Sequence, residues 1–388
     1  MDDHIEAYLA DPVLRRMHDD IRAKGPVRPI QVDLTHACNL RCQGCYFFSE
    51  GLDAHRAPKP SEEAEFDAFI EREKARRTNY VTILGGEPSL MLGRLKKVHD
   101  NFWGICVTNG VRKIPVEGFE SLAIACSVWG DHETDTQLRG GGRQDVFAQG
   151  LKNYRDDRRV VWYYTTTAGK PQEIERVVSQ IVDNGNFVGF NFYGDIAALG
   201  GDVDHRRGFE GVRREVDRMI ERYPDRMLYT PYIAEVITNG SLYGDRWGFD
   251  VCASLSTDHP KNQERLRNGK PYLHHYRCYN ADLTTTRGCC RSDTYDCESC
   301  RDTWAHMVWI MVNLEKHLGS QAEFTSWLTT SYIFYLTSRI VDFEPGVAFL
   351  PAMHARLREL RELRSAHGAA ITARESAREL DELVLETL

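Results

Sequence analysis

The strongest constraint on the fold is a regular alternation of strand-like and helix-like segments between Val27 and Tyr193. Short runs rich in β-branched and aromatic residues predict strands at 29–34, 79–84, 103–108, 122–129, 159–166 and 187–193. Amphipathic patterns between them predict helices at 61–76, 90–100, 143–156 and 171–184, with only a short connection near 112–120. Such alternation forms right-handed βαβ units. We therefore predict an α/β fold with a parallel sheet whose working face lies at the carboxyl ends of the strands.

Three cysteines, Cys38, Cys42 and Cys45, fall within eight residues directly after the first predicted strand. The loop is short enough for all three sulfurs to face one point. Thiolates select iron–sulfur clusters, zinc or copper(I), and a structural zinc site normally closes with four ligands in two separated pairs. Three close cysteines with an open fourth position suit a [4Fe-4S] cluster that keeps one iron free. The alternatives are a zinc knuckle and three unconnected core cysteines.

This CxxxCxxC spacing, with Asn-Leu-Arg at 39–41, resembles the signature of the radical S-adenosylmethionine (SAM) superfamily. The resemblance implies that the cysteines hold a [4Fe-4S] cluster whose free iron binds SAM. It further implies reductive cleavage of SAM to methionine and a 5′-deoxyadenosyl radical, with electrons from a partner such as flavodoxin or ferredoxin. Gly44 departs from the family pattern, in which many members carry an aromatic residue before the third cysteine. We expect Tyr46 or Phe47 to supply the surface near the adenine instead.

A second motif, Gly85-Gly86-Glu87, ends the second predicted strand. Glycines there let a ligand approach the backbone, and a carboxylate beside them can accept a hydrogen bond from an ammonium group. The segment resembles the GGE motif of the same superfamily, which implies that these three residues bind the methionine amine of SAM. The alternative is a plain strand-ending turn.

Polar residues near the ends of the next two predicted strands complete the expected SAM site. By the same resemblance, Asn109 reaches the SAM ribose or the substrate, and Ser127 contacts SAM. Arg139 binds the methionine carboxylate or anchors its loop, since guanidinium suits a planar carboxylate. The alternative is that Ser127 and Arg139 are ordinary loop residues. Cys106 and Cys126 lie within predicted buried strands, where a free cysteine behaves as a small hydrophobe, and we assign them no role.

After the sixth strand, a predicted helix at 209–223 and a strand-like run at 227–233 lead into a second group of cysteines. Residues 278–290 predict a β-hairpin framed by cysteines, and 297–300 is a CxxC pair. The cysteines of this group are Cys252, Cys278, Cys289, Cys290, Cys297 and Cys300. A hairpin followed by a CxxC loop makes a four-thiolate cage that suits zinc or an iron–sulfur cluster equally well.

Considered together with the first cysteine motif, this second group of cysteines resembles the twitch or SPASM extension of radical SAM enzymes. The resemblance implies an auxiliary [4Fe-4S] cluster, and the number of cysteines favours one cluster over two. We assign Cys278, Cys290, Cys297 and Cys300 as its ligands. Cys289 is the main rival of Cys290, because neighbouring cysteines on a strand point to opposite faces.

Cys252 is a replacement ligand, a core residue or a hydrogen-atom donor that faces the substrate, and we name it as the candidate catalytic residue. If an auxiliary cluster accepts an electron from the substrate radical, the reaction is an oxidation. If a thiol such as Cys252 returns a hydrogen atom, the reaction is an epimerisation.

Composition narrows the class of protein. The 388 residues suffice for one large α/β domain and a smaller appendage. A net charge of −8, with no Lys/Arg block, argues against a nucleic-acid partner. Eleven cysteines without a secretory leader indicate metal ligands rather than disulfides, so we expect a cytoplasmic protein. No apolar run approaches the roughly 20 residues that span a bilayer, and we expect no membrane partner.

We predict four regions in a partial (β/α)6, TIM-like barrel enzyme. They are an N-terminal helical extension (1–26), the barrel (27–225), the auxiliary-cluster region (226–303) and C-terminal helices (304–388). The extension is too short for a leader-peptide or cobalamin-binding domain. We expect the C-terminal helices to pack against the barrel and to roof its cavity.

The expected activity is hydrogen abstraction from a small molecule in the biosynthesis of a specialised metabolite such as an antibiotic. Suitable substrates are a sugar, an aminocyclitol, a nucleoside or an amino-acid derivative. Two alternatives stay open. One is a radical SAM maturase that modifies a peptide or protein. The other is a non-enzymatic, zinc-binding interaction protein in which all the cysteines are structural.

Overall fold

The computed structural model describes residues 3–25, 27–49, 51–54, 62–167, 169–193, 205–239, 256–257, 263, 267, 276–289, 300–337, 353–363 and 366. Eight strands in this part of the chain form one sheet, in the order β6-β5-β4-β3-β2-β1-β7-β8. They are β1 (Pro29–Asp33), β2 (Tyr80–Leu84), β3 (Trp103–Thr108), β4 (Ala123–Val128), β5 (Val160–Thr166), β6 (Phe187–Phe192), β7 (Cys278–Tyr279) and β8 (Thr286–Arg287). All neighbours pair in parallel except β7 and β8, which form an antiparallel hairpin.

The described helices begin with α1 (Asp3–Tyr8), α2 (Pro12–Lys24), α3 (Tyr46–Ser49), α4 (Glu62–Ala75), α5 (Leu92–Asn101) and α6 (His132–Leu138). They continue with α7 (Val146–Asn153), α8 (Ile174–Asp183), α9 (His205–Arg222), α10 (Pro231–Asn239), α11 (Thr303–Val312) and α12 (Gln321–Thr337), and residues 353–363 are also helical. None of the helices in these ranges has both the length and the apolar character needed to cross a membrane.

The first six strands lie side by side in chain order, which is the arrangement of a partial (β/α)6 barrel, so the predicted fold class is confirmed. Each of the six predicted barrel strands agrees with the structure to within one residue at either end. Strand β4 shows how the sheet divides two layers of core. Ile124, Cys126 and Val128 pack beneath the outer helices, whereas Ala123 and Ala125 belong to a second apolar cluster on the other face.

The second apolar cluster closes the amino-terminal end of the barrel. Leu14 of α2, Leu328 of α12 and Met353 are buried there against Ala123 and Phe187, the first residues of β4 and β6. Helices from both ends of the chain thus seal this end of the sheet. The carboxyl ends of the strands are left to form a site, as in other parallel barrels.

The predicted strand at 227–233 is wrong. Met227 makes a single bridge with Val188, and α10 begins at Pro231. Proline has no N–H for a strand ladder but is well suited to the first turn of a helix. The Thr230 hydroxyl accepts a hydrogen bond from Ile233 N (3.2 Å) and so caps this helix. Helix α6 is also absent from the predicted elements, because it is short and polar and so lacks an apolar periodicity.

The predicted hairpin is confirmed in its described residues, and it extends the barrel sheet. Cys278 lies beside Gln31 of β1 in parallel register. Buried Glu73 of α4 accepts a hydrogen bond from the Tyr279 hydroxyl (2.8 Å), which ties the hairpin to the helical layer. The hairpin therefore packs as part of the barrel wall.

Candidate active site

A cavity of about 340 Å³ opens among the carboxyl ends of the strands and extends along the inner face of the sheet. Its lining includes the three motif cysteines, Tyr46, all three residues of the Gly-Gly-Glu segment, and Asn109, Ser127 and Arg139. These residues, assigned from the sequence to the first cluster or to SAM, therefore line one cavity. Cys106 and Cys126 lie outside its lining, fully buried in the outer core.

The cysteine loop is held compactly by its own backbone. Leu40 N donates to Cys38 Sγ (3.5 Å) and Cys45 N donates to the Cys42 carbonyl (3.3 Å). Burial raises the pKa of Cys38 to about 11 and that of Cys42 to about 12, and the nearby Cys45 thiol adds to both shifts. Thiols with such pKa values become thiolates only with strong positive charge beside them. No three described His, Cys, Asp or Glu side chains, these thiols included, lie close enough to hold a single metal ion, whereas three thiolates beside one cavity are a donor set that suits an iron–sulfur cluster.

The glycines of the Gly-Gly-Glu segment are required by the cysteine loop itself. A Cβ on Gly86 would lie 2.1 Å from the Ala37 carbonyl oxygen, and Gly85 has φ +123° with the Thr35 carbonyl 2.8 Å from a Cβ position. Gly86 N donates to that Thr35 oxygen (2.8 Å), and Glu87 N donates to the Ala37 oxygen (2.8 Å). The sequence predicted close approach of a ligand here, and the structure shows close approach of the neighbouring chain segment.

The Glu87 carboxylate joins the ends of β2 and β3. It is 1% exposed and accepts hydrogen bonds from Ser89 N (2.9 Å), the Thr108 hydroxyl (2.6 Å) and Asn109 N (2.8 Å). An ionised carboxylate offers about four acceptor positions. One position is thus left for an ammonium group in the cavity.

Arg139 follows α6, a helix that the sequence analysis does not predict, and three of the five N–H groups of its guanidinium donate hydrogen bonds within the protein. It donates to the carbonyls of Ser127 (2.6 Å) and Asn109 (2.9 Å) and to the Asp135 carboxylate (3.0 Å). Its positive charge lies near the Cys42 thiol and partly offsets the rise in the pKa of that thiol. Of the two roles implied by the family resemblance, these contacts favour anchoring the loops over binding the methionine carboxylate.

Asn109 links the end of β3 to the cysteine loop. Its Nδ2 donates to the Asn39 side-chain oxygen (2.7 Å), and its own side-chain oxygen accepts from Val111 N (3.0 Å). The Asn109 side chain lies near the Cys38 thiol. Asn109 and Arg139 thus lie near two different motif cysteines.

The family pattern has an aromatic residue just before the third cysteine, where this chain has Gly44. Aromatic side chains from other positions line the cavity here. Gly44 has φ +72°, a conformation that favours glycine, and its carbonyl accepts a hydrogen bond from the Tyr193 hydroxyl (3.0 Å). Tyr46 lines the cavity, whereas Phe47 is buried outside its lining. Trp129 packs against Tyr193 with ring centroids 5.4 Å apart. Both follow strand ends directly, a position that could have identified them in the sequence.

The second group of cysteines is described in part. Cys278 is fully buried, and burial raises its pKa to about 12, with the nearby Cys289 thiol adding to the shift. Cys300 is buried just before α11. The predicted ligands Cys290 and Cys297 and the candidate donor Cys252 lie outside the described residues. Within the described ranges, no three His, Cys, Asp or Glu side chains lie close enough to hold a single metal ion.

No family model matches the chain, and no curated protein matches it. Among solved structures, Streptococcus suis SuiB is similar over 61% of this chain and 59% of its own, with 16% identity and a TM-score of 0.41. SuiB bound to S-adenosylmethionine matches over 55% of this chain and 52% of its own, with 14% identity and a TM-score of 0.38. TYW1 with a lysine-pyruvate adduct matches over 49% of this chain and 73% of its own, with 16% identity and a TM-score of 0.34. The match to SAM-bound SuiB thus spans about half of that chain.

Proposed function

We propose that this chain is a radical SAM enzyme that abstracts a hydrogen atom from a small-molecule substrate. One observation carries the proposal. The CxxxCxxC loop, the Gly-Gly-Glu segment and the ends of β3 and β4 all line one cavity at the carboxyl end of a partial (β/α)6 barrel. Chance placement of unrelated cysteines would not bring these separate motifs to one cavity.

In this proposal, Cys38, Cys42 and Cys45 hold a [4Fe-4S] cluster at the mouth of the cavity. When bound and reduced, the cluster supplies the electron that cleaves SAM into methionine and a 5′-deoxyadenosyl radical. The electron comes from a reductant such as flavodoxin or ferredoxin. Asn109 holds the cysteine loop through its hydrogen bond to Asn39, and the Arg139 charge lies near Cys42.

The same cavity supplies groups for SAM. Gly85 and Gly86 bring the strand end against the cysteine loop, and Glu87 has an acceptor position left for the methionine ammonium. Tyr46 contributes an aromatic surface for the adenine, and Ser127 a polar contact near the end of β4.

A small-molecule substrate is supported by the enclosure of the cavity. Trp304 and Met307 of α11 and Phe334 of α12 line the cavity, and its volume is typical of small-ligand pockets. Biosynthesis of a specialised metabolite is the proposed setting. Oxidation would use an auxiliary cluster, and epimerisation would use a hydrogen donor such as Cys252. If a precursor peptide rather than a metabolite stimulated 5′-deoxyadenosine release, the peptide-modifying alternative would replace the small-molecule proposal.

The test is anaerobic preparation of the full chain, followed by measurement of iron and sulfide and of 5′-deoxyadenosine formed from SAM and dithionite. The wild type should be brown and should cleave SAM. Replacement of Cys38, Cys42 and Cys45 by Ala should abolish cleavage. A matched variant with Cys106 and Cys126 replaced by Ala should keep it, because both lie outside the cavity. Zinc in place of iron in a colourless wild type would instead support the non-enzymatic alternative.

A further inference from the structure

The inner end of the cavity is lined by a different set of side chains from the end that meets the cysteine loop. We call it the inner chamber, lined by Tyr80, Tyr163, Asp302, Trp304 and Phe334. Tyr80 begins β2, and Tyr163 pairs with Gly189 in the middle of the sheet. The chamber therefore lies deeper in the barrel than the strand ends that meet the cysteine loop.

Asp302 places an available carboxylate oxygen in this chamber. Its Oδ1 accepts a hydrogen bond from Ala305 N (2.8 Å) and caps α11. In the part of the chain that the structure describes, its Oδ2 has no hydrogen-bond partner. Glu87, the other carboxylate of the cavity lining, is already occupied by three donors. Asp302 is thus the carboxylate with the greater capacity for a ligand.

Two tyrosine hydroxyls share the chamber with this carboxylate. Tyr80 is 4% exposed, and neither its hydroxyl nor that of Tyr163 has a hydrogen-bond partner among the described residues. The Tyr163 ring lies against Gly189, where a Cβ would approach the ring to 3.3 Å. Burial raises the pKa of Tyr163 to about 12, and the nearby Asp302 carboxylate adds to this shift. Both residues line the cavity, so their hydroxyls are available to a ligand there.

Aromatic rings form the walls. Trp304 stacks on Tyr80 with centroids 6.0 Å apart and planes 5° from parallel, and it packs against Phe334 at 4.7 Å. Arg139 is the only Lys or Arg among the described residues that line the cavity, and its guanidinium is committed to protein acceptors. The chamber thus combines aromatic faces with an available negative charge, and none of the five residues that define it is a Lys or an Arg.

We infer that the inner chamber binds a protonated amine on the substrate, with the Asp302 carboxylate as its acceptor and the rings of Tyr80 and Trp304 around the attached carbon skeleton. A charge-assisted hydrogen bond to carboxylate and attraction to aromatic faces both favour an ammonium group. Phosphorylated and carboxylate-bearing compounds are disfavoured by the same groups. This inference rests on the proposed function, and it narrows the substrate class to amine-bearing compounds with an apolar or aromatic body.

The test is direct binding, which requires neither SAM cleavage nor electron transfer. Full-length, anaerobically purified protein is titrated with tyramine, 4-ethylphenol and 3-(4-hydroxyphenyl)propionate by calorimetry. These probes share a phenol body and differ in charge. Wild type should bind tyramine at least about tenfold more tightly than the neutral probe, as expected for a charge-assisted hydrogen bond, and the anion most weakly.

Asp302→Asn is the informative variant, because Asn remains a good helix cap and only the charge is lost. It should abolish the preference for tyramine. Asp11→Asn, the same change at the cap of α2 outside the cavity lining, should keep it. Tyr163→Phe should weaken all three probes without changing their order. Equal affinities in the wild type, binding of none of the probes, or a preference retained by Asp302→Asn would overturn the inference. Measured SAM cleavage alongside any of these results would leave the proposed function standing.

Discussion

Arg287 of β8 and Asp33 at the end of β1 form a buried ion pair. Their side chains are 3% and 1% exposed, and both guanidinium amino groups reach the carboxylate, the longer contact being 3.3 Å. Arg287 also donates to the Asn280 side-chain oxygen (2.9 Å) within the hairpin. The pair therefore fastens the hairpin that carries Cys278 to the strand that leads into the first cysteine motif.

Breaking this ion pair should destabilise the protein strongly. Asp33→Ala leaves a buried guanidinium without its counter-charge, and we expect the free energy of unfolding to fall by about 3–5 kcal/mol in urea denaturation. Glu6→Ala is the control, since its ion pair with Arg15 is exposed at the surface and should cost less than about 1 kcal/mol. Similar losses from the two variants would show that the buried pair does not hold the hairpin.

Gly86→Ala should disrupt the cysteine loop, because the new Cβ would overlap the Ala37 carbonyl. We expect unfolding free energy to fall by about 2 kcal/mol or more and iron content to drop after reconstitution. Gly93→Ala in α5 is the matched control. It has open space around its Cβ position and should change stability by no more than about 1 kcal/mol. A Gly86→Ala protein with full iron content would contradict the steric argument.

Two buried histidines should make the fold sensitive to acid. Burial lowers the pKa of His306 and of His354 to about 3, from an ordinary value of 6.5. Both are neutral in the folded protein, whereas the unfolded chain takes up protons below about pH 6.5. Stability is therefore complete above that pH and lost as pH falls, by about 2 kcal/mol per histidine at pH 5.

His354→Phe should remove about half of this acid destabilisation. The His354 ring stacks on Phe187 with centroids 4.2 Å apart, so a phenyl ring preserves the contact without a titrating group. Urea denaturation at pH 7 and pH 5 measures the effect. Unchanged dependence on pH in the variant would show that His354 is not buried as a neutral ring.

The second group of cysteines should hold its own cluster. We expect about eight irons in the wild type and about four in the variant that has lost Cys38, Cys42 and Cys45. Cys278→Ala should in turn keep the iron of the first motif and lose the remainder. Iron and zinc analysis with EPR distinguishes the possibilities. Zinc in place of the residual iron would make this second site structural and favour a reaction without net oxidation.

The six barrel strands could be predicted from sequence because each is a short apolar run between turn residues. Helix α10 could not, because residues 227–233 are as β-rich as a strand, and the position of Pro231 decides the outcome. Helix α6 is polar, and it depends on the cap in which Asp131 accepts from Thr134 N (3.0 Å). Local caps of this kind leave little periodic signal.

The candidate site was predictable where it consists of contiguous motifs. Contacts between residues from distant parts of the chain were not. Trp129 and Tyr193 meet only because β4 and β6 end at the same edge of the sheet, and Asp302 reaches the cavity because α11 packs along β6. The hydrogen bonds of Arg139 could not be predicted either, because its three partners come from three different segments of the chain.

The pairing of β7 with β1 also affects how the chain behaves towards its own copies. β1 has five buried residues, and β2 and β7 hydrogen-bond to its two sides. Without the hairpin, β1 would present an unpaired, apolar edge able to add strands from another molecule. By pairing with Gln31 and Val32, the two residues of β7 cover part of this edge and so limit intermolecular sheet growth.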